Sequence, residues 1–155
     1  MSNIEWQSSF ETGIDIVDRG NRQLVDLINR LEKNAYIRNT QAEAQEVLRD
    51  LVKIIIPQFK EEETLLAERR DPYTDKHAEY HQEFVSQLAG YLMKLKGGGN
   101  IPVMAFLSHL KAWLINHVLR VDTQLRKYNS PRYKKQARFH PSPHPVEPET
   151  PASID

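Results

Sequence analysis

The apolar positions along this chain fall into stripes stepping by three and four residues, the spacing of one face of an α-helix. Leu24, Ile28 and Leu31 form the first, with Asn21 and Val17 on the same line toward the N-terminus. The pattern predicts a helix from about Asp18 to Ala35, with Asp18 as its N-cap. Val47, Leu48, Leu51, Ile54, Ile55, Gln58, Phe59, Glu62, Leu65 and Leu66 predict a second, from Gln41 to Ala67. Pro57 lies inside it. A helix-interior proline removes one backbone hydrogen bond at a cost of ~3 kcal/mol, so a kink is expected just before Gln58. The third helix, Thr74 to Leu95, carries His77, His81, Phe84, Leu88, Tyr91, Leu92 and Leu95 on one line. The run KGGGN then breaks the chain. Asn100 is the expected cap of a fourth helix, with Pro102 in its first turn and its end near Tyr128. Its stripe runs through Val103, Phe106, Leu107, Leu110, Trp113, Leu114, His117, Val118, Val121, Asp122 and Leu125.

Amphipathic helices joined by short connectors predict an all-α, antiparallel up-down four-helix bundle over residues 18–128. Residues 1–17, with apolar anchors at Trp6, Phe10, Ile14, Ile16 and Val17, read as an arm packed on that bundle. Residues 129–155 change character. They are first basic, through Arg132, Lys134, Lys135 and Arg138, and then proline-rich, a composition that builds no core. This tail is expected to be solvated and offers a contact surface for a protein partner.

Composition narrows the chemistry. The 21 basic and 21 acidic residues balance, so no broad field points to nucleic acid or membrane. With no cysteine, disulfides, thiolate zinc sites and iron–sulfur clusters are excluded, and histidine and carboxylate remain as metal ligands. No apolar run reaches the length of a membrane span and the first residues lack a signal-peptide core, so a cytoplasmic protein is expected.

Polar residues interrupt every apolar stripe: Asn21 on the first helix, Gln58 and Glu62 on the second, His77 and His81 on the third, His117 and Asp122 on the fourth. His77 and His81, four apart, share a helix face and can converge on one ion. An unpaired buried carboxylate costs several kcal/mol, so inward polar groups at one level of a bundle point to a shared centre. Three imidazoles and two carboxylates suit iron, manganese or zinc. The competing reading is a metal-free network in which protonated histidines pair with Glu62 and Asp122. His109 lies off its stripe and is expected to be exposed; His140 and His144 sit among prolines, a poor setting for ligands.

These residues carry a resemblance. Trp6, TGIDIVDRGNRQL (12–24), PQFKEEETLL (57–66), HAEYHQEF (77–84) and WLINHVLRVD (113–122) follow one another as in the hemerythrin family, over roughly residues 6–127. Hemerythrins are four-helix bundles that hold two irons and bind oxygen reversibly. The resemblance implies that His77, His81 and His117 match the three histidines of one iron, and that Glu62 and Asp122 match the bridging carboxylates. The other iron, where oxygen binds, takes one histidine from each of the first two helices, and those positions are Asn21 and Gln58 here. Side-chain amides are weak iron ligands, so the second site is expected to be degenerate.

The resulting expectation is a hemerythrin-like protein with a depleted, mononuclear non-haem iron site. One ion per chain is favoured, two remain open, and manganese or zinc are compatible. The role expected is binding or sensing oxygen, nitric oxide or peroxide, or holding iron. The alternative is a metal-free bundle acting as an interaction module. Enzymatic turnover of superoxide or peroxide is a third reading, with no general acid or substrate pocket in the sequence to support it.

Overall fold

A computed structural model describes residues 3–37 and 41–129. Four α-helices run along the chain: α1 Asp15–Ile37, α2 Gln41–Glu68, α3 Thr74–Lys96 and α4 Val103–Arg120. A 3₁₀ turn, Ser8–Phe10, precedes them, and a 3₁₀ segment, Asp122–Asn129, follows. Among the described residues there is no strand, and no helix is long and apolar enough to cross a membrane. The tail from residue 130, with His140 and His144, lies outside the described residues.

The stripes become the core. Leu24, Ile28 and Leu31 of α1, Val47, Leu48, Leu51 and Ile55 of α2, Phe84 and Leu88 of α3, and Phe106, Leu107 and Leu110 of α4 are almost fully buried in one cluster. Helix α1 packs on α2 and α4, and α2 on α3. Helices α3 and α4 approach each other far less closely along the backbone. Side chains bridge that gap, with Phe84 stacked on Trp113 at 3.7 Å and Tyr91 4.8 Å from Phe106.

Several boundaries differ from the sequence expectation, each for a local reason. Helix α1 starts at Asp15, so Asp18 lies inside it rather than capping it. Asp18 instead accepts hydrogen bonds from the Thr12 and Gly13 backbone N–H groups and the Thr12 hydroxyl, holding the turn before the helix. Asn100 does not cap α4; Pro102 holds that position, with no side-chain cap. Helix α2 continues without interruption across Pro57. The fourth helix stops at Arg120, not near Tyr128.

Both ends of the described chain are fastened to the bundle. The Ile4 backbone exchanges hydrogen bonds with the Asn29 side chain at 2.8 Å in each direction. Arg126 donates to the Glu11 and Ser9 carbonyls at 2.6 Å. Beyond α2, the Tyr128 hydroxyl donates to Asp71, and Lys127 pairs with the same carboxylate at 2.7 Å. Burial alone would raise the Asp71 carboxyl, but Lys127 and Tyr128 outweigh it and hold it below its ordinary value.

Candidate metal centre

The sequence-predicted polar residues meet at one level of the bundle, drawn from five elements. Asn21 comes from α1, Gln58 and Glu62 from α2, His77 and His81 from α3, His117 from α4 and Asp122 from the 3₁₀ segment; all are buried. His117 and Asp122 are five residues apart. On a continuous α-helix that spacing turns them about 140° away from each other. The termination of α4 removes the conflict: Val121 closes the last turn through its N–H to the His117 carbonyl, and the tighter 3₁₀ segment starts at Asp122. The helix break is what brings Asp122 to face His117.

Glu62 Oε2 lies 3.3 Å from His77 Nε2 and 3.2 Å from His81 Nε2. Asp122 Oδ1 lies 3.4 Å from His77 Nε2 and 3.1 Å from His117 Nε2. His81 Nε2 and His117 Nε2 are 3.1 Å apart. One potential ligand atom from each of these five residues lies within 4.8 Å of all the others. Yet Glu62 Oε2, His77 Nε2 and Asp122 Oδ1, all buried, make no directed hydrogen bond among the described residues. Apart from the bond between His81 Nε2 and His117 Nε2, the atoms close on a common point rather than on one another. Ligands held about 2.1 Å from one ion are at most about 4.2 Å apart, so shifts of a few tenths of an ångström would complete a shell here. The donor set, imidazole nitrogen and carboxylate oxygen, suits a divalent first-row metal, whose charge would balance Glu62 and Asp122. The residues fit a metal ion.

The other oxygen of each carboxylate points away, toward α1 and α2. Gln58 Nε2 donates to Glu62 Oε1 at 2.9 Å, and Asn21 Nδ2 donates to Asp122 Oδ2 at 2.9 Å. Gln58 Nε2 also donates to Asn21 Oδ1 at 3.1 Å, joining the two amides. Turning either amide over would set a carbonyl against a carboxylate, so the hydrogen bonds fix both orientations. Gly20 makes this possible. A Cβ there would lie 2.3 Å from the Gln58 amide carbon, so the bare α1 backbone is the floor on which Gln58 rests. Glycine within a helix costs about 1 kcal/mol relative to alanine, and close packing accounts for it here.

Aromatic rings hold the imidazoles. Phe59 stacks on His81 at 3.7 Å and Trp113 on His117 at 4.6 Å, both nearly parallel. Glu63 approaches His81 Nδ1 at 3.6 Å, an ion-pair distance too long for a hydrogen bond. In the metal-free chain, burial pulls the His77 imidazole down, but Asp122 and Glu62 more than offset it and hold it at about 9. At His81 burial wins, and the imidazole is pushed below its ordinary value despite Glu62. Burial opposes ionisation of Asp122, but His117 and His77 outweigh it and keep its carboxyl well below the usual carboxylate range.

Some of this escaped the sequence. His109 is half-buried rather than exposed, with Nε2 2.7 Å from Gln87 Oε1 of α3; it is not among the converging ligand atoms. Gly20 carried one signal, a glycine inside a strongly amphipathic helix. Glu32, paired with Lys111 at 2.9 Å, was also missed although it follows Ile28 by one turn on the buried face.

The comparisons agree with this architecture. Residues 12–127 match the family profile described as the hemerythrin HHE cation binding domain. A bacteriohemerythrin of Stenotrophomonas maltophilia (strain R551-3) is 27% identical over 142 residues, 92% of each chain. A hemerythrin-like protein of Naegleria gruberi is 30% identical over 125 residues, 81% of this chain and 92% of its own. The myohemerythrin of Riftia pachyptila is 27% identical over 117 residues, 76% of this chain and 86% of its own. Among solved structures, a hemerythrin mutant superposes with a TM-score of 0.72 at 22% identity, covering 83% of this chain and 96% of that one. A four-helix bundle closed around a convergent histidine and carboxylate cluster, matched by that domain over most of its length, places this chain in the hemerythrin family.

Proposed function

We propose that this protein binds a single non-haem iron through His77, His81, His117, Glu62 and Asp122, and uses it to bind or sense a small ligand such as nitric oxide, oxygen or peroxide. The observation that carries the proposal is the division of each carboxylate. One oxygen faces the imidazoles without a directed partner, and the other is occupied by an amide N–H. In a two-metal site the outer oxygens would serve a second ion. Here they accept from Asn21 and Gln58, which supply hydrogen-bond donors where lone pairs would be needed.

The chain's own residues do three things at this site. The imidazoles offer neutral nitrogen ligands, and Phe59 and Trp113 fix the planes of two of them. Glu62 and Asp122 supply negative charge. The amides hold the carboxylates from behind and close the α1–α2 side. A bound iron would supply the redox chemistry and the coordination position for the ligand.

A metal-free interaction module is the second reading. The observation favouring it is His77, which at about 9 carries a proton at neutral pH and neutralises part of the acidic charge. Against it, that proton would lie between two carboxylates and be directed at neither. Elemental analysis of protein purified without added metal separates the readings. The proposal expects about one metal per chain. Two per chain would overturn the mononuclear reading, and none, with no uptake of ferrous iron under anaerobic conditions, would leave the interaction module.

A further inference from the structure

Of the candidate ligands, Glu62, His77, His81 and His117 ride on bundle helices. Asp122 alone is carried by a segment outside the four helices, the 3₁₀ strap Asp122–Asn129. A 3₁₀ helix has poorer hydrogen-bond geometry than an α-helix and rarely runs beyond about four residues unaided. What places Asp122 is therefore what the strap rests on. Leu125 and Tyr128 are buried with Val17 and Leu66 in a small apolar cluster distinct from the bundle core. Arg126 reaches the Ser9 and Glu11 carbonyls of the N-terminal arm. Lys127 and Tyr128 reach Asp71.

Asp71 joins both sides of this closure. Its Oδ1 accepts from the Tyr73 N–H at 2.8 Å and shapes the start of α3, one turn before His77. Its Oδ2 accepts from the Tyr128 hydroxyl and pairs with Lys127. One buried carboxylate thus ties the helix that carries His77 and His81 to the strap that carries Asp122. A hollow of about 620 Å³ lies between them, lined by Leu66, Asp71, His77, Gln124, Leu125 and Lys127. The inward atoms Glu62 Oε2, His77 Nε2 and Asp122 Oδ1 are closed off from solvent, so an ion reaches them only when a wall moves. Moving a bundle helix would open the main core. Moving the strap opens only its own small cluster, and native proteins open along such divisions first.

We propose that the strap is the gate through which an ion enters and leaves this centre, and that Asp71 is the catch that closes it. Passage of an ion rests on the metal-binding reading above; the catch does not. Asp71 is a positioning residue, acting on Asp122 through Tyr128 and Lys127.

Two measurements test this, the first without metal. Hydrogen exchange read by mass spectrometry compares the amides of residues 122–129 with those of the four helices. Tyr128→Phe keeps the ring in its cluster but removes a hydrogen bond to a charged group, so the strap amides should exchange faster by about tenfold or more, with the helices unchanged. Asp71→Asn, which keeps an acceptor for the Tyr73 N–H, should do the same. Ile28→Val trims the bundle core, and should lower the melting temperature while leaving the strap amides as they are. In the second, protein shown by elemental analysis to hold ferrous iron is mixed anaerobically with an excess of a ferrous chelator. Tyr128→Phe and Asp71→Asn should release iron faster by about tenfold or more, and Ile28→Val at the unaltered rate. Uptake of ferrous iron by the metal-free variants should quicken by a similar factor, because a gate speeds passage both ways, whereas a weakened site speeds release alone. Strap amides at the unaltered rate in both variants, or helices that quicken equally, overturn the catch. Faster release without faster uptake overturns the gate. If the unaltered protein retains no iron, the metal-binding reading fails and the gate with it, and the exchange measurement alone decides the catch.

Discussion

Two lobes meet at the same pair of carboxylates, and they are built from opposite chemistry. Toward α3 and α4, Glu62 and Asp122 face imidazole nitrogens that can offer lone pairs. Toward α1 and α2 they face amide nitrogens that can only donate protons. A carboxylate oxygen is satisfied in either way, by a cation or by an N–H. A hydrogen bond to a charged group contributes about 1.5–3 kcal/mol, so the amide lobe needs no ion to be stable. On the proposed mononuclear reading, the difference teaches that nuclearity is set by which atoms stand behind the shared carboxylates, with the helices left where they are.

Breaking the imidazole lobe should have the largest effect. His81→Ala removes one candidate nitrogen ligand and the partner of the Phe59 stack, and metal affinity should fall by more than about 100-fold, beyond the usual loss for a residue that only supports a ligand. Equilibrium dialysis with elemental analysis reads this directly. Converting the amide lobe should come next. Asn21→His with Gln58→His replaces donors by ligands and should move the stoichiometry from about one iron per chain toward two. A stoichiometry unchanged at one, with both side chains seen to reach the carboxylates, would sink the account of the amides as the cause.

A smaller change to the same lobe is Gly20→Ala. The added methyl must displace Gln58, so overpacking of about 1–3 kcal/mol outweighs the roughly 1 kcal/mol gained in helix propensity. The melting temperature of the metal-free protein should therefore drop, and Gln58→Ala in the same chain should restore much of it.

Protonation distinguishes the lobes too, since only the imidazoles titrate. His77 in the folded, metal-free chain is held at about 9, above its ordinary 6.5. The stability this contributes is fully present below about pH 6.5 and is lost as pH rises through 9, amounting to up to about 3 kcal/mol. Metal binding runs the other way, because the ion displaces that proton, and affinity should climb until pH passes 9. His77→Gln should flatten the stability profile. The smallest effect is expected at His109: alanine there loses one partly exposed bond to Gln87, should change stability by no more than about 1 kcal/mol, and should leave the metal count as it is.

Much of this was readable in the sequence because burial has a period. The helical stripes gave the bundle, and polar residues lying on those stripes, from Asn21 to Asp122, gave the cluster. What the period could not carry is direction. Val121 and Leu125 prolong the stripe of α4 past its true end, so the pattern hid the break that aims Asp122 at His117. Nor does spacing tell which oxygen of Glu62 an amide takes, or that Gln58 rests on the backbone at Gly20. Those depend on the approach of one helix to another, and no single stripe encodes it. Asp71 was missed for a related reason: it lies in a connector, and its partners Lys127 and Tyr128 are far away in the chain.

The bond from Asn21 to Asp122 spans 101 residues. A contact of such sequence separation forms only after the intervening chain has been threaded into place, since closing a long loop must precede its reward. During synthesis, α1, α2 and α3 are complete before Asp122 has been made. Asp122 is therefore the last of these groups to arrive, joining the imidazole lobe to the amide lobe in one late step. Until then His77, His81 and Glu62 stand without their fourth wall, so on the proposed reading an ion would be held only once Asp122 is in place.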